Sequence, residues 1–355
     1  MAQNAIGQLF RARCLRQTLT PLAQTRNQST KAVPSFGPSS SPDLEKRLSH
    51  IRSELFAPMY LAKPQQRLTF RKRYHDRISN ENIVVTIGSE EFVLQPRTHQ
   101  DLPSKHKILE VVEAMKTPQD WQNFTPLLIG CRHSRYLFGP HNFQKFARLA
   151  GNCNALGAVI ESAKQWERTG FTLDDRLVGY QLALALHNRA ADAGFKGEEV
   201  AIALRQAEQL ASLMDAPEHR PRYSGHGTTY QPFFIGVLLE LSAARALEQG
   251  GGINGDIVSY ARKLLTNWHL IGFDRELSSW HLTDKFLGEL AIIHSGLKLA
   301  QQVDSISGDV TLKQAIQARL EELEKVIADL VNNAHSERQE NPSRGLKLAA
   351  ALLGK

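Results

Sequence analysis

A chain of 355 residues, 42% hydrophobic and 22% charged, has the composition of a globular protein and the length of one large or two ordinary domains. Its net charge of +7 is gathered at one end: residues 1–42 carry Arg11, Arg13, Arg16, Arg26 and Lys31 and no acid, leaving 38 bases against 36 acids in the remainder. Net charge is therefore no argument for nucleic-acid binding by the body, three scattered cysteines exclude a disulfide framework, and no apolar run reaches the roughly 18–20 residues of a membrane span.

Residues 1–28 read as a mitochondrial transit peptide: arginine-bearing, hydroxyl-rich and acid-free. On a helix, Leu9, Phe10, Leu15, Leu19 and Leu22 make an apolar side and Arg11, Arg13 and Arg16 a polar one. Arg26-Asn27-Gln28-Ser29 resembles a matrix-processing site, with cleavage before Ser29. The plainer reading is a disordered basic tail. The expected location is the mitochondrial matrix, free or peripheral to the inner membrane. Cys14 leaves with the leader, and Cys131 and Cys153 suit small buried residues in a reducing compartment.

Residues 29–42, rich in Ser, Pro and Gly, read as a flexible linker. Residues 43–103 form an N-terminal basic helix and β-hairpin region. Asp43 is expected to cap a helix with Leu44, Leu48, Ile51 and Leu55 on one face, and Pro58 to end or bend it. In the stretch 63–77, Lys63, Arg67, Arg71, Lys72, Arg73 and Arg77 face one acid, Asp76, and are interleaved with Phe70, Tyr74 and His75. Such a pattern pairs cations with phosphates and stacks bases on rings, so Arg67, Arg71, Lys72 and Arg73 are candidate RNA-binding residues. The plainer reading is a solvated helix with Leu68 and Phe70 packed inward. Ile83–Ile87 and Phe92–Leu94 then read as a β-hairpin around a four-residue loop, Gly88-Ser89-Glu90-Glu91.

From 104 to 333 the pattern is helical, with helices expected at 104–116, 118–130, 140–151, 155–168, 174–192, 197–214, 231–248, 254–270, 277–302 and 309–333. Pro118 and Pro140 stand near helix starts, and Gly170, Gly194 and Gly250-Gly251-Gly252 in turns after helices. The sequence GGGINGD lacks the Gly-Lys-Ser/Thr of a phosphate loop and reads as a connector. Residues 215–230 are the longest irregular connection, a subdomain boundary or a functional loop. In the last long helix Ile316, Leu320, Leu323, Ile327 and Leu330 form a packing stripe. Residues 334–355 are a polar tail with a short apolar end that docks on the body or on a partner.

Within this region, 142–214 reads as four consecutive amphipathic helices, and the unit that begins at Phe146 restarts 34 residues later at Tyr180. A helical hairpin of that size buries its apolar face only against a stacked neighbour. The expected fold is mostly α: stacked helical hairpins, α-solenoid-like, with a small N-terminal β-hairpin. The segments Phe146–Leu149 and Ala163–Asp174 (AKQWERTGFTLD) resemble one pentatricopeptide repeat, and Val178–Leu182 resembles the start of the next. The later pair Phe233–Leu247 and Ile257–Leu270 is similar to a loose tetratricopeptide hairpin. The resemblance implies a helical scaffold in organelle RNA metabolism or translation. It assigns base reading to Arg148, Leu182 and Asp174 or Asp175, although the first two replace that family's usual Asn, Ser or Thr, which moves the emphasis to charge or protein contacts. Residues 121–160 hold no acid but carry Arg132, Arg135, Lys145 and Arg148, a second set of candidate phosphate contacts.

Catalytic and metal motifs are missing. Cys131, His133, His141 and Cys153 lack the closely spaced ligand pair of a zinc site. There is no HExxH, GxSxG or glycine-rich dinucleotide turn. Asp174-Asp175 and Glu198-Glu199 point apart on a helix and read as N-terminal capping acids rather than as a proton-sharing pair. His219 and His226 read as surface loop residues. No cofactor and no catalytic residue is expected. The favoured expectation is a non-catalytic protein whose partners are mitochondrial RNA, the mitoribosome, or both. The alternative is a protein-only scaffold or assembly factor for an inner-membrane respiratory complex.

Overall fold

The structure, a computed structural model, describes residues 32–221, 227–250, 255–334, 341–352 and 354. The expected transit peptide and His226 lie outside them. Helices of seven residues or more are numbered in chain order. The first four are α1 (Pro42–Ile51), α2 (Lys63–Phe70), α3 (His75–Glu81) and α4 (Lys105–Ala114). Next come α5 (Phe124–His133), α6 (Pro140–Asn152), α7 (Leu156–Lys164), α8 (Arg176–Asp192) and α9 (Glu198–Met214). The last five are α10 (Pro232–Glu248), α11 (Gly255–Thr266), α12 (Trp280–Ala300), α13 (Val310–Asn332) and α14 (Arg344–Leu352). Two strands, β1 (Val84–Ile87) and β2 (Glu90–Val93), pair antiparallel between α3 and α4. No helix among the described residues is long and apolar enough to cross a membrane. The residues fall into two units, 32–33 with 52–102, and 34–51 with 103 onward.

The smaller unit is built on Leu55, Phe56, Tyr60, Ile78, Val85 and Ile87, all buried. Arg52–Phe56 is π-helical and runs without a break into a short α-turn, Ala57–Tyr60, which carries Pro58 near its first position. Arg97 closes the unit by pairing with Glu54 and by donating its backbone N–H to the Thr69 carbonyl at 3.0 Å. The hairpin register sets Ile87 against Glu90, so the turn is Gly88-Ser89, two residues rather than four. Gly88 has φ +64°, the left-handed value that a tight primed turn requires at its first central position.

In the larger unit, α6, α8, α10, α12 and α14 pack side by side in one row, while α5, α7 and α9 pack behind its beginning. Consecutive helices α8–α9, α9–α10, α10–α11 and α12–α13 are also in contact, so the unit is a stack of helical hairpins. The row's central helices have no polar face: α10 buries every residue from Pro232 to Ala244. A helix apolar all round belongs in a middle layer. Asp175 caps α8 by accepting from the N–H groups of Leu177 at 2.9 Å and Val178 at 3.1 Å, and Asp309 caps α13 through Leu312 N–H at 3.1 Å. Ser41, not Asp43, precedes α1 and accepts its first hydrogen bond, from Glu45 N–H; Asp43 lies inside the first turn and pairs with Arg47 at 2.7 Å. The C-terminal helix docks on the body: Asp284 of α12 accepts from Leu346 N–H at 2.9 Å and from Ser343 Oγ.

Of the span read as a linker, the part beside α1 is strapped down. Gly37 N–H donates to Asn123 Oδ1 at 2.7 Å, and Ser40 donates its N–H at 2.7 Å and its hydroxyl at 2.8 Å to Asp120. Asp120 also accepts from Lys116 N–H and Thr117 N–H and is wholly buried. Burial alone would raise its carboxyl, but the hydrogen bonds from Ser40 and Thr117 outweigh burial and hold it at about 2. A depressed carboxyl contributes stability above its unfolded pKa, here near 3.8, and that contribution disappears as pH falls toward 2. Substituting Asp120→Asn is therefore expected to cost about 2 kcal/mol at neutral pH and to flatten the loss of stability between pH 4 and pH 2. A denaturant-unfolding series across that range measures it; an unchanged acid limb in the variant contradicts the strap.

Candidate nucleic-acid interface

The candidate cations divide between the two units. In the smaller one, Arg67 is in the last turn of α2, Arg71 caps its end through its own N–H to the Arg67 carbonyl at 3.2 Å, and Lys72 and Arg73 form the 3₁₀ turn that follows. All four are exposed. Among the described residues no carboxylate pairs with Arg67, Arg71 or Lys72. Arg73 is turned onto its neighbour: its Nη2 donates to the Tyr74 hydroxyl at 2.6 Å and its guanidinium lies 4.5 Å over that ring. Arg77 is paired with Glu81 at 2.9 Å. One face of Phe70 is stacked on His99, centroids 4.6 Å apart and planes within 1°. The rings expected to stack bases are thus partly occupied, and what the arm presents openly is charge.

In the larger unit, Arg132 is exposed in the last turn of α5, its guanidinium lying against Gly170. Arg135 is exposed with φ +63°, an unusual backbone for a side-chain-bearing residue. Lys145 on α6 is neutralised by Glu113 of α4, whose carboxyl that hydrogen bond holds below the ordinary range. Arg148 is exposed farther along α6. Lys145 is therefore a structural pair rather than a free phosphate contact, while Arg132, Arg135 and Arg148 remain open to solvent.

Three residues to which the repeat resemblance assigned base reading are spoken for. Leu182 has no exposed surface and sits in the core of α8. Asp175 is the cap of that helix and accepts further from Gln144 Nε2 at 3.1 Å, while Asp174 accepts from the Thr172 hydroxyl at 2.6 Å. His219 is buried, not on the surface: its Nδ1 accepts from Leu173 N–H at 3.3 Å, and burial lowers its pKa. Cys131 is buried, which pushes its thiol far above the ordinary range, whereas His133 and His141 face solvent. Among the described residues no three His, Cys, Asp or Glu side chains gather as metal ligands.

The strongest internal polar chemistry is structural. His187 of α8 and Glu240 of α10 meet at 2.9 Å with almost no exposed surface. Burial disfavours the imidazolium, but the Glu240 charge outweighs it and the His187 pKa is raised. Glu289 of α12 accepts from Arg176 and Arg275, each at 2.9 Å. Arg344, at the start of α14, was not singled out by sequence. It lies in a polar tail, and only folding brings it to one cleft with the α8 residues Asn188 and Asp192.

Comparison with known proteins identifies what this scaffold is similar to. The chain matches the Mrp13 family, described as mitochondrial ribosomal protein mS27, over residues 21–351. It is also 23% identical over 279 residues to the small ribosomal subunit protein mS27 of Neurospora crassa, an alignment covering 72% of this chain and 69% of that one. The respiratory-complex alternative finds no support in either match.

Proposed function

Because this chain belongs to the mitochondrial ribosomal protein mS27 family, we propose that it is a non-catalytic matrix component of the small mitoribosomal subunit, acting in mitochondrial translation, whose helical stack is the scaffold and whose open cations contact RNA phosphates. The observation that carries the reading is the family match along nearly the whole chain. The exposed Arg67, Arg71 and Lys72, unpaired among the described residues, add a physical means of holding RNA. Arg132, Arg135 and Arg148 are the corresponding contacts proposed in the larger unit. The hairpins α6–α7 and α8–α9 span the two sequence segments that restart after 34 residues, which supports a degenerate helical repeat retained for its packing. With Leu182 buried and Asp175 capping a helix, recognition in this reading is by charge and shape rather than by a base per repeat.

Alanine at Arg67, Arg71 and Lys72 together tests the RNA contact. Each phosphate neutralised on a single strand contributes about 0.7 to the slope of log affinity against log salt, so losing three contacts lowers that slope by about 2. Binding of a labelled RNA oligonucleotide to the full chain at several salt concentrations measures it, with thermal unfolding unchanged because all three side chains are exposed. An identical slope and affinity in the variant would remove the arm from the account.

A further inference from the structure

His99 lies outside the basic stretch 63–77 that the sequence pattern singled out, yet its exposed ring is stacked on Phe70 of that stretch, centroids 4.6 Å apart and planes within 1°. We propose that the outer face of His99 is a stacking platform for one unpaired base of a single-stranded RNA, whose flanking phosphates Arg71 and Lys72 hold. The inference rests on the RNA-contact reading above and deepens it: the arm takes a strand with a base turned out, not a continuous duplex.

The ring is fixed before any ligand arrives. Arg97, two residues earlier, is anchored through its guanidinium to Glu54 and through its N–H to the Thr69 carbonyl at 3.0 Å. His75 Nε2 donates to the same carbonyl at 3.1 Å. Thr98 then turns the chain: Asp101 accepts from its N–H at 2.6 Å and its hydroxyl at 2.9 Å, and Asp101 N–H donates back to the Thr98 carbonyl at 3.2 Å. His99 is the next residue of that turn and Phe70 the residue after Thr69, so these ties bring the two rings face to face. A platform already held in place costs a ligand little ordering. Phe70 covers one face of the imidazole, and the His99 side chain makes no hydrogen bond, ion pair or second ring contact among the described residues. An aromatic face left open to solvent matches the face of an unstacked base, and histidine is one of the side chains that bases stack on. From Phe70 the chain runs straight into Arg71 and Lys72, both exposed and without a carboxylate partner among the described residues. An open ring with cations beside it is the pairing that single-strand binding uses. The acid of this turn, Asp101, is engaged by Thr98, and its charge is countered by Arg97 and His75. A base inside a duplex has both faces covered by its neighbours and has none to offer the platform.

The test uses the full chain with a ten-nucleotide RNA of mixed sequence carrying 2-aminopurine at its centre, a base whose fluorescence is quenched when it stacks. His99→Ala is expected to weaken binding about tenfold and to lose most of the quenching that the parent gives at saturation. Its slope of log affinity against log salt should match the parent, because stacking releases no counterion. His99→Phe keeps a ring and restores both affinity and quenching. The same RNA annealed to its complement should bind the parent and His99→Ala alike. Because His99 is exposed, the thermal midpoint of His99→Ala should be unchanged; if it falls, quenching by His99→Phe against His99→Lys decides alone, a ring without charge against a charge without a ring. Affinity and quenching in His99→Ala equal to the parent overturn the platform. If the triple alanine variant at Arg67, Arg71 and Lys72 still lowers the salt slope in that case, the wider function stands without it. A loss in His99→Phe as large as in His99→Ala, with a lower salt slope, makes His99 a phosphate contact and overturns stacking. Equal losses on strand and duplex overturn the single-strand assignment. Displacement of His99→Ala from the small ribosomal subunit at unchanged quenching overturns it in favour of a protein partner.

Discussion

Replacing Glu289 with alanine will destabilise the larger unit by about 3 kcal/mol. The carboxylate is 4% exposed and accepts from Arg176 Nη2 of α8 and from Arg275 Nη2 of the loop before α12, both at 2.9 Å. Arg176 is further tied to the start of α10, through Nε to Gln231 at 3.2 Å and over the Phe233 ring at 5.2 Å. Arg275 lies 3.6 Å over Phe286. One side chain therefore fixes three elements of the row, and its loss leaves two guanidinium groups without their counter-charge. Because Arg176 is 38% and Arg275 29% exposed, water recovers part of that cost, which keeps the estimate at the lower end for a broken buried pair. Glu289→Gln keeps an acceptor and should cost less than alanine. Urea unfolding with an unchanged slope reads the difference; an alanine variant as stable as the parent would show that the triad contributes nothing.

The second large effect comes from a helix pair whose backbones approach closely. At the crossing of α10 and α12, a Cβ on Gly296 would lie 2.5 Å from the Gly236 carbonyl oxygen, and one on Gly236 would lie 3.1 Å from the Ile293 Cα. These neighbours are backbone and cannot rotate aside. Overpacking of this kind typically costs about 1–3 kcal/mol, and alanine recovers at most about 1 kcal/mol from its better helix propensity. Gly296→Ala is expected to destabilise on balance, and Gly296→Val, with two further methyl groups, to lose about 3 kcal/mol or more. Gly157 of α7 is the internal control, since a Cβ there meets nothing within 4 Å and Gly157→Ala should leave stability unchanged or slightly raised. Equal thermal midpoints for Gly296→Val and Gly157→Ala would contradict the packing described.

The places where sequence and structure agree, and where they part, follow from the range of the signals. Helix ends carried by local chemistry were legible: Pro140 opens α6 and Asp175 caps α8. The stacked-hairpin fold class was legible for the same reason, because a repeated amphipathic hairpin has to be covered. The faces of the central helices were not, since α8 and α10 are buried on nearly every side and their apolar residues mark no direction. That is why Leu182, placed by a family likeness at a reading position, is a core residue. Long-range pairs were also invisible: Lys145 meets Glu113 across 32 residues, His219 meets Leu173 across 46, and Ser40 meets Asp120 across 80. A charge count along the chain ranks Lys145 with Arg148; only the fold shows that one is neutralised and the other is open. The hairpin turn failed on register, because Glu90 and Glu91 have the composition of a loop but pair as strand with Ile87 and Thr86.

The central claim is that the chain works as part of the small mitoribosomal subunit. Its most direct test is sedimentation of mitochondrial lysate containing the full-length chain through a sucrose gradient at low salt, with the subunit's RNA followed in the same fractions. The account predicts that the chain peaks with the small-subunit RNA and moves to the top of the gradient after RNase treatment. A chain that stays at the top without RNase, with no small-subunit RNA crosslinked to it, would contradict it.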